Sequence, residues 1–341
     1  MATIHSRVKF VILAEVAVIA AAIAVIVILV YRAMFVVRIP KASDVPRIPD
    51  ETSLMEKQIF PPGDPWNTDI SNEPIDVNSD TLIASIGAQI ALHPDIGTIY
   101  HGVPMGIPFV IVSGDQPKVP VTFQDSTESD PGPYPIPPDA PIEGGLDADG
   151  DRHVIILDKT TWLLYELYSA FPDNGGRSWR AVSGAIFDLN KNSVQRPIGW
   201  TSADAAGLPI FPGLVRYGEV QQGRISHALR FTVTQSRHAF VFPATHFASK
   251  NTDSSLPPMG MRVRLKHDFD ITAFPASAQV ILQALKTYGM ILADNGGNWY
   301  LSGAPDPRWN DEQLSSLKKV IGVDFEVVRM GQITTALDKT Q

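Results

Sequence analysis

Residues 10–31, FVILAEVAVIAAAIAVIVILVY, carry a single charge, Glu15. A run this long and apolar matches the roughly 20 residues that cross a bilayer core as a helix. It confines the rest of the chain to folding beside a membrane. The run is longer than the apolar core of a secretory signal and has no convincing small-residue cleavage site, so an uncleaved anchor is expected. Glu15 lies near the entry end, where a carboxylate reaches the headgroups. The expected plan is a short tail (1–9), a transmembrane helix in the lipid bilayer (10–31), a proline-rich stalk (32–64) and one large ectodomain (65–341). Arg7 and Lys9 precede the run, whereas Arg32, Arg38, Lys41 and Arg47 follow it. That count favours a cytoplasmic C-terminus. A short tail before a large domain is instead the layout of a signal anchor. We therefore expect a single-pass protein of the cytoplasmic membrane, with its C-terminal domain periplasmic or extracellular.

Residues 1–50 hold six Lys/Arg against three Asp/Glu, which leaves 22 against 33 for residues 51–341. An ectodomain this acidic does not fit the electrostatics of nucleic-acid binding. The chain has no cysteine, which excludes disulfides, thiolate catalysis and Cys-ligated zinc. G-x-S-x-G, H-E-x-x-H, P-loop and dinucleotide signatures are also absent.

Past the stalk, strand-length β-branched and aromatic segments follow one another between Gly, Pro, Asn and Asp. Among them are IPFVIVSG, RHVIILD, WLLYELYSA, SGAIFDLN, ALRFTV, RVRLK, NWYLSG and DFEVVRM. Two late segments read as helices. In FPASAQVILQALKTYG, Val280, Leu282, Leu285 and Tyr288 recur at helical spacing before Gly289; DPRWNDEQLSSLKKV has Asn310 or Asp311 as its cap. The expected class is mainly β, sandwich-like or built of curved antiparallel sheets, with one or two late α-helices after the transmembrane helix. The proline-rich stretch 122–145 reads as a surface loop, and ADNGGNW as a tight hairpin turn at Asn295-Gly296.

The phrases GWTSADAAGLPIFPGLVRYGEVQQGRISHALRFTV, GDRHVIILDKTTWLLYELYSA, LPPMGMRVRLK, KTYGMILADNGG and SGAPDPRW resemble a family of functionally uncharacterised bacterial secreted or surface-anchored proteins. The likeness runs from about Pro65 to about Val328. It implies export and a single structural unit, and it assigns no catalytic residue.

Site candidates come from strand geometry. In GDRHVIILDKTTWLLYELYSA, a two- or four-residue turn around DKTT sets Leu157 against Trp162 and His153 against Glu166. One face then carries Asp151, His153, Ile155, Leu157, Trp162, Leu164, Glu166 and Tyr168. A His opposite a Glu is either a plain cross-strand pair or an acid–base device. A second set, Arg216, Glu219 and His227, follows the Gly-Pro run 199–223, where Trp200 is placed for exposure. Asp188 and Asp204 lie near strand ends, positions that also suit turn residues. A glycan suits these groups, since carboxylates can cleave a glycosidic bond beside an aromatic platform. The candidate catalytic residues are Glu166, Glu219, His227 and His153; Arg216, Trp200, Tyr168 and Asp188 are the candidate substrate contacts. The expectation is a hydrolase or lyase acting on a polysaccharide, with a non-catalytic envelope protein binding glycan or protein as the alternative.

No cofactor is called for, and calcium is the one cation to weigh. Asp147, Asp149, Asp151 and Asp158 take the first, third, fifth and twelfth places of a calcium loop, but the obligatory glycine place holds Arg152. Only a looser site on Asp147, Asp149 and Asp151 is left open.

Overall fold

The computed structural model describes Glu51, Leu54 and residues 57–336. The apolar run 10–31, the tail and most of the stalk lie outside the described residues. No helix among the described residues is long and apolar enough to cross a membrane. The described end of the stalk is part of the folded body: Ile59 and Phe60 join the core, and Asp64 is buried.

The body is mainly β. Its largest sheet has six strands in the order His93–Asp95, Tyr300–Ser302, Leu229–Val233, Met290–Asn295, Arg262–Leu265 and Phe325–Val327. It is mixed rather than antiparallel, because the first pair and the central pair 229–233/290–295 run parallel. The 290–295 and 300–302 strands flank Leu229–Val233 instead of pairing with each other. ADNGGNW therefore crosses over a strand and is not the tight hairpin its Asn-Gly suggests.

A four-stranded sheet runs in the order Ser183–Asp188, Leu163–Tyr168, Val154–Asp158 and Phe109–Val112. Its central strands are buried on both faces, which explains why VIILD reads as a continuous apolar run. Ile155, Leu157 and Leu164 pack into the main core, while Val154, Ile156, Tyr165 and Leu167 pack into a second one. Tyr134, Ile136 and Ile142 cover that second face. The proline-rich stretch 122–145, expected at the surface, thus serves as a lid on the sheet.

The helix over Ala276–Thr287 buries Ala278, Ile281, Leu282 and Leu285. Val280 and Tyr288, expected on the inner face, only half bury. Gly289 ends it at φ +66°, where a Cβ would come within 2.2 Å of the Val263 carbonyl oxygen, so only glycine fits. Asn310, not Asp311, caps the Asp311–Ser315 helix by accepting from the Gln313 N–H. Among the described residues, the further helices Ser79–Ile86 and Tyr217–Gln221 are too short to give a clear period.

The hairpin register differs from expectation by two residues. Asp158 pairs with Leu163, Leu157 with Leu164 and Ile155 with Glu166. The Asp158 carboxylate accepts from the Thr160 and Thr161 N–H groups, and Trp162 takes a left-handed φ of +60°. The turn therefore includes Trp162, which leaves the ladder. A two-residue slip preserves the faces, so the predicted grouping of His153, Glu166 and Tyr168 survives although the direct pair His153–Glu166 does not.

Candidate functional site

An acidic cleft lies where the C-terminal ends of the parallel strands 229–233 and 290–295 meet the loop 200–206. Its volume is about 380 Å3, and its lining includes Asp125, Glu128, Asp151, Tyr168, Asp204, His246 and Asp294. A bulge creates its central pair. Phe231 lies beside Leu292, but the register then shifts, so that Thr232 lies beside Asp294. In a regular ladder Asp294 would point to the face opposite Arg230. The extra residue, Ala293, turns it onto the face of Arg230 and Thr232.

Arg230 is buried and clamps the buried Asp204 carboxylate at 2.7 and 2.8 Å. It also donates to Ser302 Oγ at 2.6 Å and lies 3.5 Å from Asp294. Two carboxylates thus share one guanidinium, and Asp204 holds the better geometry. Burial, reinforced by Asp204 and opposed by Arg230, pushes the Asp294 carboxyl up to about 7. Its side chain is 22% exposed, enough to meet a ligand.

The other wall comes from the strand entering at Val154. His153 Nδ1 is 2.6 Å from Glu143 Oε2, and Nε2 is 3.1 Å from the Ala203 carbonyl oxygen. Both partners are acceptors, so the ring donates from both nitrogens as an imidazolium. Burial works against that charge, but Glu143 outweighs it and holds His153 at about 9. Tyr168, centred 5.6 Å from the His153 ring, keeps its proton because burial and the charges of Asp151, Asp294 and Glu143 raise its pKa.

Ligand atoms of Glu143, Asp151 and His153 lie within 4.8 Å of one another. Within this trio Glu143 and His153 form an ion pair at 2.6 Å. The candidate calcium loop is organised around a cation of its own. Arg152, at φ +52°, donates to the carbonyls of Leu146 and Ala148 at 2.9 and 2.8 Å. The guanidinium thus engages the carbonyls beside exposed Asp147 and Asp149 and opposes a bound metal there.

The sequence candidates separate into several places. Tyr168 lines the acidic cleft, whereas His153 is buried behind it, its Nε2 on the carbonyl oxygen of the lining residue Ala203. Arg216, Glu219 and His227 line a second cavity of about 370 Å3. There Arg216 Nη2 is 2.8 Å from Glu219 Oε1 and 2.7 Å from His227 Nε2. His227 Nδ1 lies 2.8 Å from the Ala228 carbonyl oxygen, and its Nε2 is also 3.2 Å from Glu219 Oε2. Burial resists the charge on Glu219, but Arg216 and His227 hold its carboxyl down at about 2. Such a carboxylate is a poor proton donor.

Glu166 lines neither cavity. It is fully buried, and its carboxylate accepts from the backbone N–H groups of Ile210 and Phe211 at 2.8–3.0 Å. Burial raises its pKa to about 7 against the pull of those two amides. It anchors the turn at Phe211–Gly213 and is not placed to pair with Glu219 as acid and base. Glu166→Ala should therefore cost on the order of 3–5 kcal/mol by stranding two buried N–H groups. Glu166→Gln, which keeps one acceptor, should cost less. Urea unfolding of both variants checks this, and equal midpoints would refute the anchoring role.

Asp188 belongs to a surface turn with Asn190 and Lys191. Trp200 lies under the Arg196 guanidinium, 5.3 Å from its ring centre, and does not line the cleft. The sequence reading passed over Arg230, Glu143 and Asp294 as site residues. A charged residue inside the apolar run HALRFTV was the available signal for Arg230. No family model, curated protein or solved structure matches this chain.

Proposed function

We propose that the acidic cleft is a glycosidase site for an uncharged polysaccharide, on an ectodomain held at the outer face of the cytoplasmic membrane by the apolar run 10–31. The observation that carries this reading is Asp294, a part-exposed carboxyl poised near neutrality in a cleft shared with Asp151 and Tyr168. Carboxylates whose environments differ divide acid and base roles between them. Asp294 passes its proton to the glycosidic oxygen as the C–O bond breaks. Asp151, exposed on the opposite wall, takes a proton from the water that adds to the anomeric carbon. Tyr168 offers a ring face and a neutral hydroxyl to the sugar.

The charge of the lining favours hydrolysis over elimination. A lyase needs cations to neutralise the substrate's uronate, whereas Asp125, Glu128, Asp151, Asp204 and Asp294 all border this cleft, and the buried Arg230 behind them is already paired with Asp204. Like charge would repel a polyuronate. Full-length protein incubated with neutral and uronate-rich polysaccharides should release new reducing ends from a neutral one and no unsaturated products. Unsaturated ends would overturn the hydrolase reading. Binding without cleavage would favour a non-catalytic glycan-binding envelope protein.

A further inference from the structure

The tetrapeptide Asp-Asn-Gly-Gly occurs twice, at residues 173–176 and 294–297, and the fold sets the two copies in different backbone environments. Asparagine is among the thermolabile residues. When glycine follows it, no Cβ keeps the next backbone nitrogen from the side-chain carbon. That nitrogen loses its proton to water or hydroxide, bonds to the Asn Cγ and expels the amide nitrogen as ammonia. The product is a cyclic succinimide, and water opens it at either carbonyl to give isoaspartate or aspartate. The attacking nitrogen must be free for the ring to close. Its hydrogen bonding therefore decides which copy reacts.

In the first copy, Asn174 and Gly175 are exposed at the tip of the hairpin joining Phe171–Asp173 to Ser178–Ala181. Both take a left-handed φ, +51° and +68°, and the Gly176 N–H closes the turn on the Asp173 carbonyl oxygen at 3.0 Å. That bond leaves the central Gly175 N–H outside the turn, and among the described residues it has no hydrogen-bond partner. A Cβ on Gly175 would meet nothing within 4 Å, so the space around it is open. Asn174 itself is held only at the surface: Nδ2 donates to Ser178 Oγ, and its carbonyl accepts from Arg177 Nε, each at 2.9 Å. Water replaces such exposed bonds at little cost. In the second copy Asn295 is equally exposed, but it pairs with Val233 in the six-stranded sheet. There the Gly296 N–H donates to the Val233 carbonyl oxygen at 2.8 Å, and a Cβ on Gly296 would come within 2.8 Å of Thr232 Oγ1. Ring closure at Asn295 would break that ladder bond and shift the strand end that carries Asp294.

We infer that Asn174 is a site of spontaneous deamidation, and that the ladder bond at Gly296 protects the same motif at Asn295. The protection bears on the acidic cleft, which Asn295 lines beside Asp294, because conversion there would add a carboxylate next to that carboxyl. The inference does not depend on the glycosidase reading. Full-length protein aged in mildly alkaline buffer, digested and read by peptide mass spectrometry tests it. The Asn174 peptide should gain the mass difference between OH and NH2. The Asn295 peptide should do so at least about fivefold more slowly, the effect of one retained hydrogen bond. In urea both copies lose their folded surroundings, and the two rates should converge. Gly175→Ala, a change into open space, should slow conversion of Asn174 several-fold and leave Asn295 as it was. An intact Asn174 in the aged folded protein would overturn the inference. So would an Asn295 that converts as fast as Asn174, or a gap between the two that persists in urea and so belongs to the flanking sequence.

Discussion

Asp294→Asn should lose about 10²–10⁴ in kcat/KM on a cleaved glycan, the usual contribution of a general acid, and should nevertheless gain stability at neutral pH. Both expectations follow from the same carboxyl. Burial and the neighbouring Asp204 raise it to about 7 in the folded protein, whereas an unfolded aspartate titrates near 3.9. The folded state therefore binds more protons than the unfolded state between those values, and stability falls as pH rises through that window. Below about pH 4 the carboxyl is protonated in both states and the penalty vanishes. An asparagine imitates the protonated form at every pH. At 1.36 kcal/mol per pKa unit, the gain at pH 8 has a ceiling of roughly 4 kcal/mol, which partial exposure lowers. The variant should melt above the wild type at pH 8 and together with it at pH 4. In the wild type, activity should fall as pH rises past about 7, because the acid is then ionised. An Asp294→Asn variant as active as the wild type would remove the acid role, whatever its melting temperature. A variant both inactive and less stable at pH 8 would point to a structural role.

The strands that build this site were legible because their pattern is local. VIILD and LLYELY announce themselves by β-branched and aromatic content, and their two-residue register error left the face assignments intact. His153 and Tyr168 accordingly keep the shared strand face that the alternation assigns them. The facing wall was hidden for a physical reason. Arg230, Asp204 and Asp294 are far apart in sequence and meet only after the loop 200–206 folds back onto the sheet. Asp294 also depends on a bulge at Ala293, which no hydropathy period reveals. Glu166 misled in the opposite direction. A glutamate on a mostly apolar strand face looks like chemistry, yet backbone N–H groups from a distant turn consume both its oxygens. Glu219 illustrates a third case: the sequence placed it correctly beside Arg216 and His227, but that company holds it ionised.

Arg230→Leu is the change expected to damage the fold most, and it separates Asp204 from Asp294. Breaking a buried pair from one side costs about 3–5 kcal/mol, since the remaining charge has no partner. Asp204, itself only 1% exposed and bonded by Arg230 at two points, would be that charge. Replacing both partners, Arg230→Leu with Asp204→Leu, removes the stranded carboxylate and should recover much of the loss. The two variants should then differ in opposite senses at Asp294. Loss of Arg230 alone removes the charge that lowers the Asp294 pKa and leaves the one that raises it, so the alkaline limb of activity should move above pH 7. Loss of Asp204 as well removes the stronger of those two influences, and the limb should return toward lower pH. Denaturant midpoints report the first contrast and pH–rate profiles the second. If both variants kept the wild-type limb, Asp294 would not be the group whose ionisation ends activity, and the acid would have to be sought elsewhere on the cleft wall.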